Sequence, residues 1–231
     1  MKRFYEAASV EKADGGYQVL LDDRPVRTPA KAPLLLPVEE LAAKIAAEWN
    51  AQGEKILPDS MPFMSLSATG IDRVTPQRDD VIDQIVAYGG SDLLCYRAED
   101  PDDLVIRQAK SWQPLLDWCR ERFGAELAVT AGIMPLTQSQ ESLAALRVGI
   151  AEHNDLVLSG LYQLTTGFGS LVIALAVLEG RIEVEKGIEY ALLDELFQAE
   201  RWGEDSEALA RRKGMAADMT NAARFITFCR V

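Results

Sequence analysis

The sequence predicts an α+β fold: a small N-terminal antiparallel-sheet domain with one packed helix (residues 1–75), then a larger all-helical C-terminal domain (residues 76–231). Three observations predict it. Short extended runs between Phe4 and Leu36 are broken by Asp14-Gly15-Gly16 and Asp22-Asp23-Arg24-Pro25, the turn chemistry of antiparallel hairpins. After Pro58 and Met61-Pro62 the composition turns helical. The stretch Leu156 to Leu178 carries no charged residue, and a helix apolar on nearly every side belongs at the centre of a bundle.

Within the first domain, Tyr17, Val19 and Leu21 alternate with Gln18 and Leu20, an imperfect period of two. Pro37 is placed to open a helix, with Glu39 and Glu40 in its positive first turn. Its inward stripe is Val38, Leu41, Ile45 and Trp49. Trp49 is read as a structural aromatic bolt joining helix to strands, so its replacement should unfold the domain. Thr75-Pro76 is the expected junction.

Helices are expected over Arg78–Tyr88, Asp102–Phe123, Gln140–His153, the run from Leu156, Val184–Trp202 and Asp205–Phe228. Pro101-Asp102-Asp103 is a start signal and Gly124 a stop. Glu126 to Thr130 reads as extended, without an assigned place. The run from Leu156 could cross ~30 Å of hydrocarbon. Its polar interruptions, and Asp155 and Glu179 at its flanks, argue instead for a buried helix in which Gly160, Gly167 and Gly169 let neighbours approach.

Composition narrows the function. With 24 basic and 36 acidic residues the net charge is −12, which opposes binding to nucleic acid or insertion at an anionic membrane and favours basic partners. Three dispersed cysteines, Cys95, Cys119 and Cys229, fit thiols in a reducing compartment. Met1-Lys2-Arg3 runs straight into an apparent strand, so the chain is read as cytoplasmic and bacterial, or as an already trimmed mature form. It is read as monomeric when free.

Catalytic chemistry is poorly provided for. The single histidine, His153, stands at an expected helix end, where the dipole favours a cation. It assembles no metal cluster with the cysteines. Gly167-Phe168-Gly169-Ser170 lacks the lysine of a phosphate-binding loop. Adjacent carboxylates such as Asp194 and Glu195 diverge by about 100° on a helix. The reading is therefore no enzyme and no cofactor. Arg211-Arg212-Lys213 is taken as a solvated run, with Glu207 four residues before Arg211.

One segment resists a structural explanation. On a continuous helix Ile188, Leu192, Leu196, Ala199 and Trp202 share a side, and Glu195 projects among them with no basic residue three or four positions away. Asp194, Gln198 and Arg201 form a separate polar stripe. Either Glu195 is a helix-edge acid paired from elsewhere in the fold, or it is kept for a basic group on another protein. Spacing leaves both open.

The pattern D-E-x-x-Q-x-E-x-W-G-E-D-x-E-A, from Asp194 to Ala208, resembles the signature of assembly chaperones for the alpha subunit of the catalytic sector of F-type ATP synthase. Lys2-Arg3-Phe4-Tyr5, Leu21 to Pro29, Ala32 to Pro37, Glu48 to Gln52, Met61-Pro62, Ile71-Asp72-Arg73 and Ser91 to Arg97 resemble the same family, in its order. One departure is Asp23, where that pattern has glycine after Asp22, which leaves the turn type open.

The resemblance implies a non-catalytic chaperone that holds the free alpha subunit until the beta subunit displaces it. It implies neither ATP use nor a covalent step. Expected partner-binding residues are Glu195 first, with Asp194, Phe197, Gln198 and Trp202 around it. Should Glu195 meet a buried basic group across the interface, its loss would cost ~2 to 5 kcal/mol of binding. A small-ligand enzyme with carboxylates in an interdomain cleft and a constitutive helical scaffold are the alternatives.

Overall fold

The structure, a computed structural model, describes residues 1–132 and 135–230. It has the expected α+β character. Two hairpins build the sheet: β1 (Ala8–Ala13) pairs with β2 (Gly16–Leu21), and β3 (Arg24–Pro25) and β4 (Leu35–Leu36) both pair antiparallel with β2. Val19 and Leu21 are buried, the inward half of the alternation. Gly15 takes the positive φ, 83°, that the first turn requires. In the second turn Asp22, not Asp23, is left-handed, with φ 54°. Its carboxylate accepts the Glu6 and Ala7 amides at 3.0 and 3.1 Å, so a glycine at 23 is dispensable.

Helix α1 (Glu39–Asn50) lies on β1 and β2 and buries Leu41, Ala42, Ile45 and Ala46. It starts two residues after Pro37, because Val38 is still extended. Trp49, at the far end of the expected stripe, is only half-buried. Its ring meets the buried Tyr5 edge-on at 5.6 Å, and its carbonyl accepts the Tyr5 hydroxyl at 2.7 Å. It therefore clamps the N-terminal segment and leaves a flank uncovered.

After α1 the chain is helical almost without pause through α2 (Pro62–Thr69), a π-turn over Gly70–Val74, a 3₁₀ turn over Thr75–Gln77 and α3 (Arg78–Gly90). Thr75-Pro76, the expected junction, is thus a helical irregularity. Pro76 has no amide to donate, and the neighbouring Thr75 amide shifts its bond to the Gly70 carbonyl. Then come β5 (Tyr96–Arg97), α4 (Asp102–Phe123), β6 (Thr130–Ala131) and α5 (Gln140–Ala151). The extended piece left unplaced by sequence ends in β6, which pairs parallel with β5.

The uncharged run is two helices, α6 (Asp155–Phe168) and α7 (Leu171–Leu178). Gly169, at φ 64°, ends the first, and the Ser170 hydroxyl caps the second by accepting from Ile173. Gly169 is a terminator and has nothing to pack against, whereas a Cβ on Gly160 would meet Ile226 and one on Gly167 would meet Met219. Among the described residues no helix is long and apolar enough to cross a membrane. The chain ends with α8 (Val184–Ala191), α9 (Leu193–Trp202) and α10 (Ser206–Cys229).

The chain forms two compact units. One comprises Met1–Arg78, Asn154–Gly160 and the stretch from Asn221; the other comprises Asp79–His153 and Leu161–Thr220. The starts of α6 and the end of α10, read from sequence as parts of the helical domain, thus fall in the unit that holds the sheet.

Candidate functional site

The expected single helix from Val184 to Trp202 is interrupted at Leu192, whose φ and ψ are −98° and 9°. The buried indole of Trp112 donates to the Tyr190 carbonyl at 3.1 Å, an acceptor that an unbroken helix would offer to Asp194. The break resets the helical phase. Ile188, Leu192, Leu196, Ala199 and Trp202 therefore do not form one stripe.

In α9 the buried residues are Leu193 and Phe197, one turn apart. Glu195, Ala199 and Trp202 lie about 140–180° in phase from the midline of that pair and share the outward side. Trp202 is 76% exposed. An acid sits among apolar residues here because this is the surface of the helix, not its core face.

Of the two readings that spacing left open for Glu195, the structure shows a pair made within the chain. Arg211 of α10 donates to it at 2.6 Å, and the side chains are 60% and 38% exposed for Arg211 and Glu195 respectively. The acid is neutralised from within the chain, but in contact with water. Arg211 reaches back across the turn that joins α9 to α10 instead of pairing with Glu207. The carboxylate raises the Arg211 pKa by hydrogen bonding.

Two other expected contact residues are committed to the fold. Asp194 accepts from the buried Gln108 of α4 at 2.8 Å. Phe197 is 3% exposed, with the guanidinium groups of Arg107 and Arg201 at 5.2 and 4.5 Å from its ring centre. Those arginines also grip acids: Arg107 binds Glu200 through two bonds of 2.8 and 2.9 Å, and Arg201 binds Asp103 at 2.5 Å. Asp194, Gln198 and Arg201, at i, i+4 and i+7 of α9, keep the expected polar stripe, and its two ends, Asp194 and Arg201, fasten α9 to α4.

The rest of the signature is similarly employed. Gly203 has φ 90°, a conformation that suits glycine. Glu204 pairs with the buried Arg212 at 2.7 Å, so the basic run is not merely solvated. The Asp205 carboxylate accepts the Ala208 amide at 3.0 Å and caps α10. Among the described residues the side chains of Gln198 and Trp202, both exposed, have no hydrogen-bond, ion-pair or ring partner. Sequence reasoning missed Arg211 and Gln108; the signal for Arg211 was its near-symmetric distance from the Gly203 turn.

Elsewhere burial governs the ionisable groups. Burial pushes the thiols of Cys95, Cys119 and Cys229 up to about 12. Asp92 is fully buried and accepts from Ser170, Val172 and Leu94 at 2.7, 3.0 and 3.0 Å, while burial lifts its pKa to about 6. Among the described residues no group of His, Cys, Asp and Glu could hold a metal ion.

Comparison with known proteins places the chain among chaperones. A family model described as ATP12 chaperone protein matches residues 2–120. Over 219 residues the chain is 24% identical to Protein atp12, mitochondrial, of Schizosaccharomyces pombe, covering 90% of this chain and 75% of that protein. The crystal structure of Atp12 from Paracoccus denitrificans is 43% identical, with TM-score 0.94, covering 99% of this chain and 98% of that one. A mutant of the Paracoccus protein matches over the same shares at 42% identity and TM-score 0.94.

Proposed function

Because the chain belongs to the ATP12 chaperone protein family, we propose that it is a non-catalytic assembly chaperone for the unassembled alpha subunit of F-type ATP synthase. The observation that carries the site is Trp202, an indole 76% exposed at the end of a helix otherwise clamped in place. Tryptophan is enriched among the residues that dominate binding energy at interfaces.

Glu195, Gln198 and Trp202 form the proposed contact surface, while Asp194 and Phe197 hold α9 in position. The alpha subunit before assembly exposes the apolar interface of an obligate complex. Trp202 and Ala199 cover part of it, and a client guanidinium or ammonium takes Glu195 from Arg211. Exchange of one exposed ion pair for another has a small free-energy difference, so the client stays displaceable. The beta subunit then takes the covered face without nucleotide hydrolysis by the chaperone. The proposed setting is a reducing compartment, the bacterial cytoplasm.

The test is gel filtration of the purified chain with free alpha subunit. A soluble complex that is lost on Trp202→Ala supports the reading. Failure of the intact chain to form any complex contradicts it, as would a complex that persists unchanged in the variant.

A further inference from the structure

A cleft of about 480 Å³ opens in the sheet-containing unit, within the ~300–1,000 Å³ of ordinary ligand sites. Trp49, Ile56, Met61, Met64 and Ala68 line its apolar part. α2 supplies Met64 and Ala68, and its first turn is fixed by the Glu48 carboxylate, which accepts the Phe63 and Met64 amides at 2.7 and 2.8 Å. Methionines adapt their shape to irregular apolar partners. The floor is therefore rigid in backbone and yielding in side chain.

The charge of the lining runs against that of the chain. In a protein of net charge −12, the cleft carries two arginines, Arg27 and Arg73, both exposed and neither in an ion pair among the described residues. The Arg27 guanidinium reaches only the Lys31 carbonyl, at 2.9 Å. The lone acid of the lining, Asp72, is occupied by the Thr28 hydroxyl at 2.6 Å and the Ala30 amide at 3.0 Å. A third group is also unmatched. The indole nitrogen of Trp49 is buried without an acceptor, an expensive state for a polar atom.

We propose that this cleft binds an apolar peptide segment of another protein, flanked by acidic residues whose carboxylates meet Arg27 and Arg73. The apolar side chains of the segment enter among Met61, Met64 and Ala68. The two guanidinium groups select acid over base at the flank, since a lysine there would face like charge. This site is separate from α9 and does not rest on the role given to Trp202.

The experiment is fluorescence anisotropy of the intact chain with two fluorescein-labelled amphipathic peptides, each with Leu and Phe on one face. One peptide ends in two Glu and the other in two Lys. Saturable binding of the Glu peptide, at least tenfold tighter than the Lys peptide, is expected. The double variant Arg27→Glu/Arg73→Glu, altered only at exposed positions, should weaken the Glu peptide at least tenfold and reverse the preference. Met64→Lys should weaken both peptides, and Trp202→Ala neither. Absence of saturable binding, equal binding of both peptides, or indifference to the double variant would overturn the proposal. So would Arg-dependent binding of oleate with no binding of either peptide, which would make the cleft a site for a small amphiphile.

Discussion

Arg211 of α10 donates a 2.6 Å hydrogen bond to Glu195 of α9, and both side chains remain open to water. A solvent-exposed pair of this kind contributes little to folding. It does set the availability of Glu195. If the client provides a cation, Arg211 is its competitor, and the two residues have opposite effects on binding. Glu195→Gln should weaken the complex with the alpha subunit about threefold, the small difference that exchange of exposed pairs leaves, whereas Arg211→Ala should strengthen it. Both variants should melt within ~2 °C of the parent. Calorimetric titration and thermal scans of both variants measure this, and equal weakening by both would mean that the intact pair is what the client recognises.

Asp92 gives the fold a pH signature. Its folded pKa, raised by burial to about 6, lies above its ordinary value of 3.8. The native state thus holds the proton more tightly than the unfolded state, and stability from this group is lost as pH rises from about 4 to about 6. Asp92→Asn removes the titration. The Tm of the parent minus that of the variant should be larger at pH 4 than at pH 7; a difference that grows with pH would contradict the assignment.

The glycines of α6 distinguish close packing from mere helix tolerance. A Cβ at 160 would lie 2.6 Å from Ile226 Cγ1, a stiff β-branched side chain, whereas one at 167 strikes the flexible end of Met219. Gly160→Ala should cost ~1–3 kcal/mol and Gly167→Ala less, because methionine can swing aside. Thermal melts of the two variants should rank them in that order.

The thiols offer a chemical probe of the core. Cys95, Cys119 and Cys229 are buried, and burial holds each near a pKa of about 12, far from the reactive thiolate. A disulfide-exchange dye should label none of the three rapidly in the native protein and all three in denaturant. A fast-reacting thiol in the native state would mean that one of these helices opens locally.

Local signals in the sequence carried most of the architecture. Gly15 and the Asp22 turn marked the hairpins, and the start and stop of α4 were written in Asp102, Asp103 and Gly124. What the sequence hid depends on contacts between distant residues. The break at Leu192 is made by the indole of Trp112, 78 positions from Tyr190, so no window around α9 contains it. The same holds for Gln108 on Asp194, 86 positions apart. Phe197 and Trp202 are both aromatic and lie on the same short helix. Only the reset phase tells which of them is buried.

Trp202 is the residue on which the account depends. Its replacement should leave the fold intact, since a residue 76% exposed contributes little to packing. Calorimetric titration of free alpha subunit into the parent and into Trp202→Ala is the decisive measurement. The account predicts a saturable complex whose Kd rises about thirtyfold in the variant, the loss of a ~2 kcal/mol anchor, with an unchanged Tm. An identical Kd in the two proteins, or no complex with the parent, would contradict it.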